Sequence, residues 1–275
     1  MRKSFCCLMA VCFLGGWFGY LRADDQADCK PILEKAVKAM GGQKTLGQLK
    51  SGSLKGRFAI SANGSEVAGS LESIWQGPEK CFFEIKPLGS QVNWASMKVV
   101  VNGENWQAEG DGAILEKSGG ENGKAATPIR EFLSTVCLPR LLASMAIKVS
   151  KLSPLGEIKI NDCECVGMRM NIEESTDINV FFDKRTGLPT KTEIAETGLD
   201  SKSGLIALNY AEYKEFDGLK HPTKVTVQAR VARSSESDLE RFEFTIELTE
   251  MKAEGKLDDG IFTIANMKSP AQIHL

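Results

Sequence analysis

Histidine is what this 275-residue sequence has least of: His221 and His274 are the only two. That scarcity argues against a Ser-His-Asp or Cys-His nucleophile, which needs an imidazole held between the nucleophile and an orienting acid. His221 precedes Pro222 in a strand-like run, where a satisfied structural histidine is expected and a general base is not. No histidine–cysteine cluster has zinc spacing. Positive charge is also short, with 34 basic against 36 acidic residues and no basic patch. Nucleic acid and anionic lipid surfaces are therefore not expected partners. Gly119-Gly120-Glu121-Asn122-Gly123-Lys124-Ala125 fails as a phosphate loop, because Ser118 replaces the first glycine and Ala125 the metal-binding hydroxyl. Carboxylates are plentiful, but they alternate outward along strands and no glycosidase-like pair stands out. No cofactor, no metal and no catalysis are expected.

Long apolar runs are missing except at the start. Arg2 and Lys3 precede the run Phe5–Tyr20, and Ala23 stands before Asp24-Asp25 as a cleavage position. Residues 1–23 read as a secretory signal peptide, too short for an ordinary membrane span. An uncleaved anchor is the alternative, because Leu21 is large for the −3 position, and neither Cys12 nor Cys29 sits in a lipobox. Loss of the leader removes Arg2, Lys3 and Arg22 and no acid, leaving 31 basic against 36 acidic residues, a net charge of −5. Five cysteines remain, Cys29, Cys81, Cys137, Cys163 and Cys165. Their pairing is open, except that an odd number leaves at least one thiol unpaired in a monomer. Cys163 and Cys165 share a strand face at the upper edge of disulfide reach, and read as buried or separately bridged and not as a redox or metal pair.

What the sequence does have is alternation of period two. Pro31–Met40 is a helix with Ile32, Leu33, Ala36, Val37 and Met40 on one side, ended by Gly41-Gly42, and Gln43–Lys50 is a second helical piece. From Ser53 the period changes. Leu54, Phe58 and Ile60, then Val67, Leu71 and Trp75, then Cys81, Phe83 and Ile85 mark three strand faces. Asn63-Gly64 is a hairpin turn (its Asn-Gly-Ser sequon reads as a turn only), and Asn102-Gly103 is another. Ser118–Thr127 is loop. Thr127-Pro128 opens a helix carrying Ile129, Phe132, Leu133 and Val136, which Pro139 breaks before Leu141, Leu142 and Met145. Strands resume from Ile147, with Ile178, Val180 and Phe182 alternating before the Asp183–Gly187 turn. Asp217-Gly218 joins two further strands, and Phe242, Phe244, Ile246 and Leu248 alternate in the last.

With no low-complexity linker and no convincing repeat, residues 24–275 read as one domain of roughly ten to twelve strands. The expected fold class is mainly β with helices (α+β), a curved antiparallel sheet with one polar and one apolar face. Such a sheet twists and curls, and its few helices are too little to fill the concavity at native packing density. An apolar cavity is therefore expected. Its expected lining is Phe58, Leu71, Trp75, Phe83, Ile85, Val180, Phe182, Val227, Phe242 and Phe244, with Phe132, Leu133, Leu141 and Leu142 as lid.

Several segments resemble a known family. They are the Ile32-Leu33-Glu34-Lys35-Ala36 helix ending in Gly41-Gly42, the Ser53–Ile60 strand, the Phe182-Asp183-Lys184-Arg185-Thr186-Gly187-Leu188 turn followed by Lys191-Thr192-Glu193, and Tyr213–Thr223. Together, over residues 30–265, they are similar to the bacterial outer-membrane lipoprotein-sorting (LolA-like) group. The resemblance implies an incomplete β-barrel with a helical lid over a hydrophobic cavity. It also implies a periplasmic, non-catalytic, monomeric protein that binds lipid acyl chains or lipoproteins and exchanges them with a membrane donor or acceptor protein. No cavity arginine of the known carriers can be matched. The alternative is a structural or sensing module whose concave face is filled and which binds a partner protein.

Overall fold

The computed structural model describes residues 25–62, 65–89, 95–111, 113–118, 136, 149–172, 177–197, 203–232 and 239–264. The leader and the lid residues Phe132, Leu133, Leu141 and Leu142 lie outside the described residues.

Two helices open the described chain, α1 (Asp25–Ala39) and α2 (Gly42–Gln48). Thirteen strands follow. In chain order β1 (Ser51–Ala62), β2 (Ser65–Gln76), β3 (Lys80–Pro87), β4 (Met97–Asn102), β5 (Asn105–Gly110) and β6 (Ala113–Ser118) form one meander. A second comprises β7 (Val149–Ile160), β8 (Cys163–Ile172), β9 (Ile178–Asp183), β10 (Pro189–Thr197), β11 (Ser203–Phe216), β12 (Leu219–Ala232) and β13 (Leu239–Ala253). Antiparallel pairing of β1 with β13 fuses the two into one sheet, ordered β6-β5-β4-β3-β2-β1-β13-β12-β11-β10-β9-β8-β7. The sheet is an incomplete barrel with β6 and β7 as its edges. The count exceeds the expected ten to twelve, because Ala113–Ser118 is a full strand and Val149–Ile160 runs unbroken through register shifts at Val149/Lys151 and Pro154/Gly156.

The chain crosses from one sheet edge to the other between β6 and β7. Val136, the one described residue of that crossing, is helical, 2% exposed and part of the main core. α1 packs along β7 and adds Cys29 and Ala36 to the same core, which Met40 joins just past the helix end. Its seat is built from turns. Lys220 N–H donates to Met40 O (3.0 Å), and Lys35 Nζ donates to Lys184 O in the β9–β10 turn. In that turn the Asp183 carboxylate accepts from Arg185 N (2.6 Å) and Thr186 N (2.9 Å), and Gly187 has φ 78°. A Cβ on Gly187 would stand 2.8 Å from Lys35 Cγ, so the glycine serves both the turn and the helix above it.

Two turns refine the sequence reading. At Asp217-Gly218 both φ values are positive, 49° and 80°, the conformation a two-residue primed hairpin needs. At Asn102-Gly103 the turn sits one residue later than expected. Asn102 still pairs with Asn105, Gly103 (φ 62°) and Glu104 make the turn, and Asn102 Nδ2 donates to Phe262 O (3.2 Å).

The outer face is polar over much of its area, carrying ion pairs such as Lys55–Glu72, Lys86–Glu84 and Lys191–Glu193. It is not uniformly wet. Phe181, Val100 and Gln107 are buried on it. A C-terminal 3-10 turn, η1 (Asp259–Phe262), packs against β3 and β4 and buries Phe262 completely. Lys80–Asp259 (2.7 Å) and Leu257 N–H to Gln76 Oε1 (3.0 Å) hold that cap. Nothing in the strand periodicity announces it.

Candidate functional site: the concave apolar face

Cross-strand register assembles the concave face row by row. One row runs Met168–Val180–Thr192–Leu208–Val227–Phe244–Ile60–Val67 through eight directly paired strands, β8 to β13 and then β1 and β2. A second runs Tyr210–Val225–Ile246–Phe58–Gly69–Pro87. A third, Gly52–Trp75–Cys81–Val101–Trp106, continues across β1 to β5. Because side chains in register on neighbouring strands share a face, sequence alternation alone suffices to build this surface.

Glycines let the aromatic rings lie flat on it. Phe58 covers its registered partner Gly69, where a Cβ would stand 2.5 Å from Cε1 of the ring. Trp75 covers Gly52 in the same manner, and its indole N–H donates to Leu49 O (3.1 Å).

The expected lining residues divide into two groups. Phe58, Leu71, Trp75, Val180, Phe182 and Val227 are buried in the main core with α1, α2 and Val136; Val180 is 0% and Phe182 1% exposed. Phe83, Ile85 and Phe244 are half-buried against that core. Phe242 pairs with Ala229 in the same facing series, and its side chain lies outside the described residues. Burial thus falls along the first row, from none exposed at Met168, Val180, Thr192 and Leu208 to half-buried at Phe244, Ile60 and Val67. Phe244, Ile60 and Val67 form an apolar strip across β13, β1 and β2, and Ile85, Phe83 and the 39% exposed Met97 are incompletely buried in rows further along β3 and β4. Ile60, Val67 and Met97 add to the expected lining, on the same period-two alternation with polar neighbours.

Buried polar groups on the concave face are few and mostly paired. Tyr210 Oη donates to Thr192 Oγ1 (2.9 Å), Tyr213 Oη to Pro189 O (2.6 Å), and Thr223 Oγ1 to Glu212 O. Burial holds both phenols above their ordinary range. His221 is completely buried, and burial pushes its imidazole down to about 4 against the opposing hydrogen bond at Pro222. Its Nδ1 lies 2.6 Å from Pro222 O, while Nε2 has no partner among the described residues. The expected satisfied histidine is therefore satisfied at one nitrogen only.

Cys163 and Cys165 lie on the outer face, beside Asp183 and away from the concavity. They are free thiols, as is Cys81. Burial and the hydrogen bonds with Cys165 and Asp183 push the Cys163 thiol up to about 12, so it stays protonated near neutrality. Among the described residues no group of three or more His, Cys, Asp or Glu side chains is arranged to hold a metal ion, and no helix is long and apolar enough to cross a membrane.

Comparison with protein-family models and with curated proteins returns no match. Solved structures do match. One is a LolA superfamily protein from Nitrosomonas europaea, 16% identical, with a TM-score of 0.53 over 86% of this chain and 97% of that one. Another is a DUF1329 family protein from Desulfovibrio piger, 13% identical, with a TM-score of 0.52 over 85% of this chain and 96% of that one. At these identities the likeness is one of architecture, and it agrees with the open thirteen-stranded sheet and its helices. The chain has a LolA-like fold.

Proposed function

We propose that this chain is a non-catalytic periplasmic binding protein for a lipid or an acylated lipoprotein, acting as a carrier in outer-membrane lipoprotein sorting. The observation that carries the reading is the apolar strip of Phe244, Ile60 and Val67, with Ile85 and Phe83 further along β3, left half-buried on the concave face of a LolA-like sheet. A large apolar surface facing inward, and not evenly covered, suits acyl chains better than a polar substrate. Each methylene buried there contributes about 0.8 kcal/mol. Ten would contribute about 8 kcal/mol before ordering costs, enough for reversible capture without a charged clamp. The N-terminal Arg2, Lys3 and Phe5–Tyr20 pattern supports export.

Titration with a fluorescent long-chain fatty acid tests the reading. Saturable binding is expected, weakened at least tenfold by Phe244→Asp or Ile60→Asp in variants that still fold. A folded wild-type protein that fails to bind the probe would contradict it.

A further inference from the structure

The concave face carries one buried acceptor whose chemistry selects a partner. On β12 the core residues Leu219, Val225 and Val227 fall in one every-second-position series, and His221 and Thr223 stand in that series between them, which places the imidazole on the concave side; Pro222 beside it is buried as well. A carbonyl can only accept, so the 2.6 Å contact with Pro222 O puts the proton of the neutral ring on Nδ1. Nε2 is then a bare lone pair, and no donor among the described residues meets it. Thr223, two residues along the strand, donates to Glu212 O, and on β11 Tyr213 donates to Pro189 O and Tyr210 to Thr192, while Lys214, registered opposite His221, is exposed. Among the described residues the other unpartnered polar atom on this face, Trp106 Nε1, is a donor six strands away on β5.

Leaving an acceptor buried and unpaired is costly, and natural interiors seldom tolerate it without a ligand or a trapped water. We propose that His221 Nε2 is the polar anchor of the acyl-binding face, accepting a hydrogen bond from an amide N–H or hydroxyl close to the head of the acyl chain. The proposal rests on the acyl-binding reading above. Chemistry narrows the class further. A neutral imidazole with its proton on Nδ1 offers no N–H to an ester, a carboxylate or a phosphate at Nε2, and those groups when unprotonated have no proton to give. An amide-linked or hydroxylated chain has one. The β11–β12 hairpin that leads to His221 is also where α1 ends, with Lys220 N–H on Met40 O and Gly41 packed against Gly218. The anchor thus sits beside the hinge between α1 and α2, where Gly41 and Gly42 have φ of 121° and 87°.

The test compares two competitors of equal chain length, a long-chain primary amide and the corresponding methyl ester, displacing a fluorescent fatty acid from the full chain at pH 7.5. Wild type is expected to bind the amide about tenfold more tightly than the ester. His221→Phe should abolish that preference, so that amide and ester bind alike, while His221→Gln, which keeps an acceptor, should retain part of it. On amide addition the Nε2 nitrogen-15 resonance of wild type should move. If wild type binds both equally, or if His221→Phe keeps the preference, the anchor is wrong and the acyl-binding reading stands; a trapped water on Nε2 would give the first result. If neither competitor nor probe binds, both readings fall. The wild-type comparison is decisive even where a variant does not fold.

Discussion

Phe58 lies across Gly69, its directly paired neighbour on β2, closely enough that a Cβ at position 69 would meet both the ring and the Lys86 carbonyl. The same relationship joins Trp75 to Gly52 on the concave face and Phe181 to Gly167 on the outer one. In each case a glycine opposite an aromatic residue lets the ring lie on the sheet in place of standing off it. Gly69→Ala should therefore destabilise the protein by about 1–3 kcal/mol, read as a lower urea midpoint with unchanged slope. A Phe58→Leu background should remove part of that cost, because the ring contact is then gone while the Lys86 carbonyl remains.

The β9–β10 turn makes a second prediction. Gly187 combines φ 78° with contact to Lys35 on α1. Gly187→Ala should cost on the order of 1–2 kcal/mol and loosen α1 in particular. Hydrogen exchange should show faster exchange in α1 than in β11–β12; uniform change would mean the turn does not seat the helix.

A third concerns pH. The unfolded chain protonates His221 near the ordinary 6.5, whereas the folded chain holds it neutral down to about 4. Between those values the unfolded state binds the extra proton, so stability is fully present above pH 6.5 and falls as pH drops toward 4. The loss should be on the order of 3 kcal/mol. Urea midpoints at pH 7.5, 5.5 and 4.5 should decline more steeply for wild type than for His221→Gln.

Core and strip should respond differently to truncation. Phe182→Ala removes a completely buried ring and should cost about 3–5 kcal/mol. Phe244→Ser, in the half-buried strip, should cost less stability and more ligand affinity. Thermal melts paired with fatty-acid titration separate the two.

Much of this architecture was readable in the sequence because a sheet with an apolar face writes it as alternation. Val180, Val227, Phe244 and Ile60 fall on one face by period two alone, and register then joins them in one row. Turn chemistry located the Asp217-Gly218 and Asp183–Gly187 reversals for equally local reasons. Alternation carries no depth, however. It could not distinguish Val180 and Phe182, buried in one core with Ala36, Met40 and Val136, from Ile60, Val67 and Phe244, which remain half-buried. Nor could it foresee Phe262 capping the outer face or His221 keeping one nitrogen without a partner among the described residues, since both depend on contacts between distant parts of the chain.

Native mass spectrometry of the protein purified gently from its own compartment tests the central claim most directly. The account predicts a mass increment that lipid extraction releases as an acyl-bearing molecule, and that excess fatty acid displaces. A protein consistently at its bare polypeptide mass, with no displaceable acyl probe taken up afterwards, would contradict it.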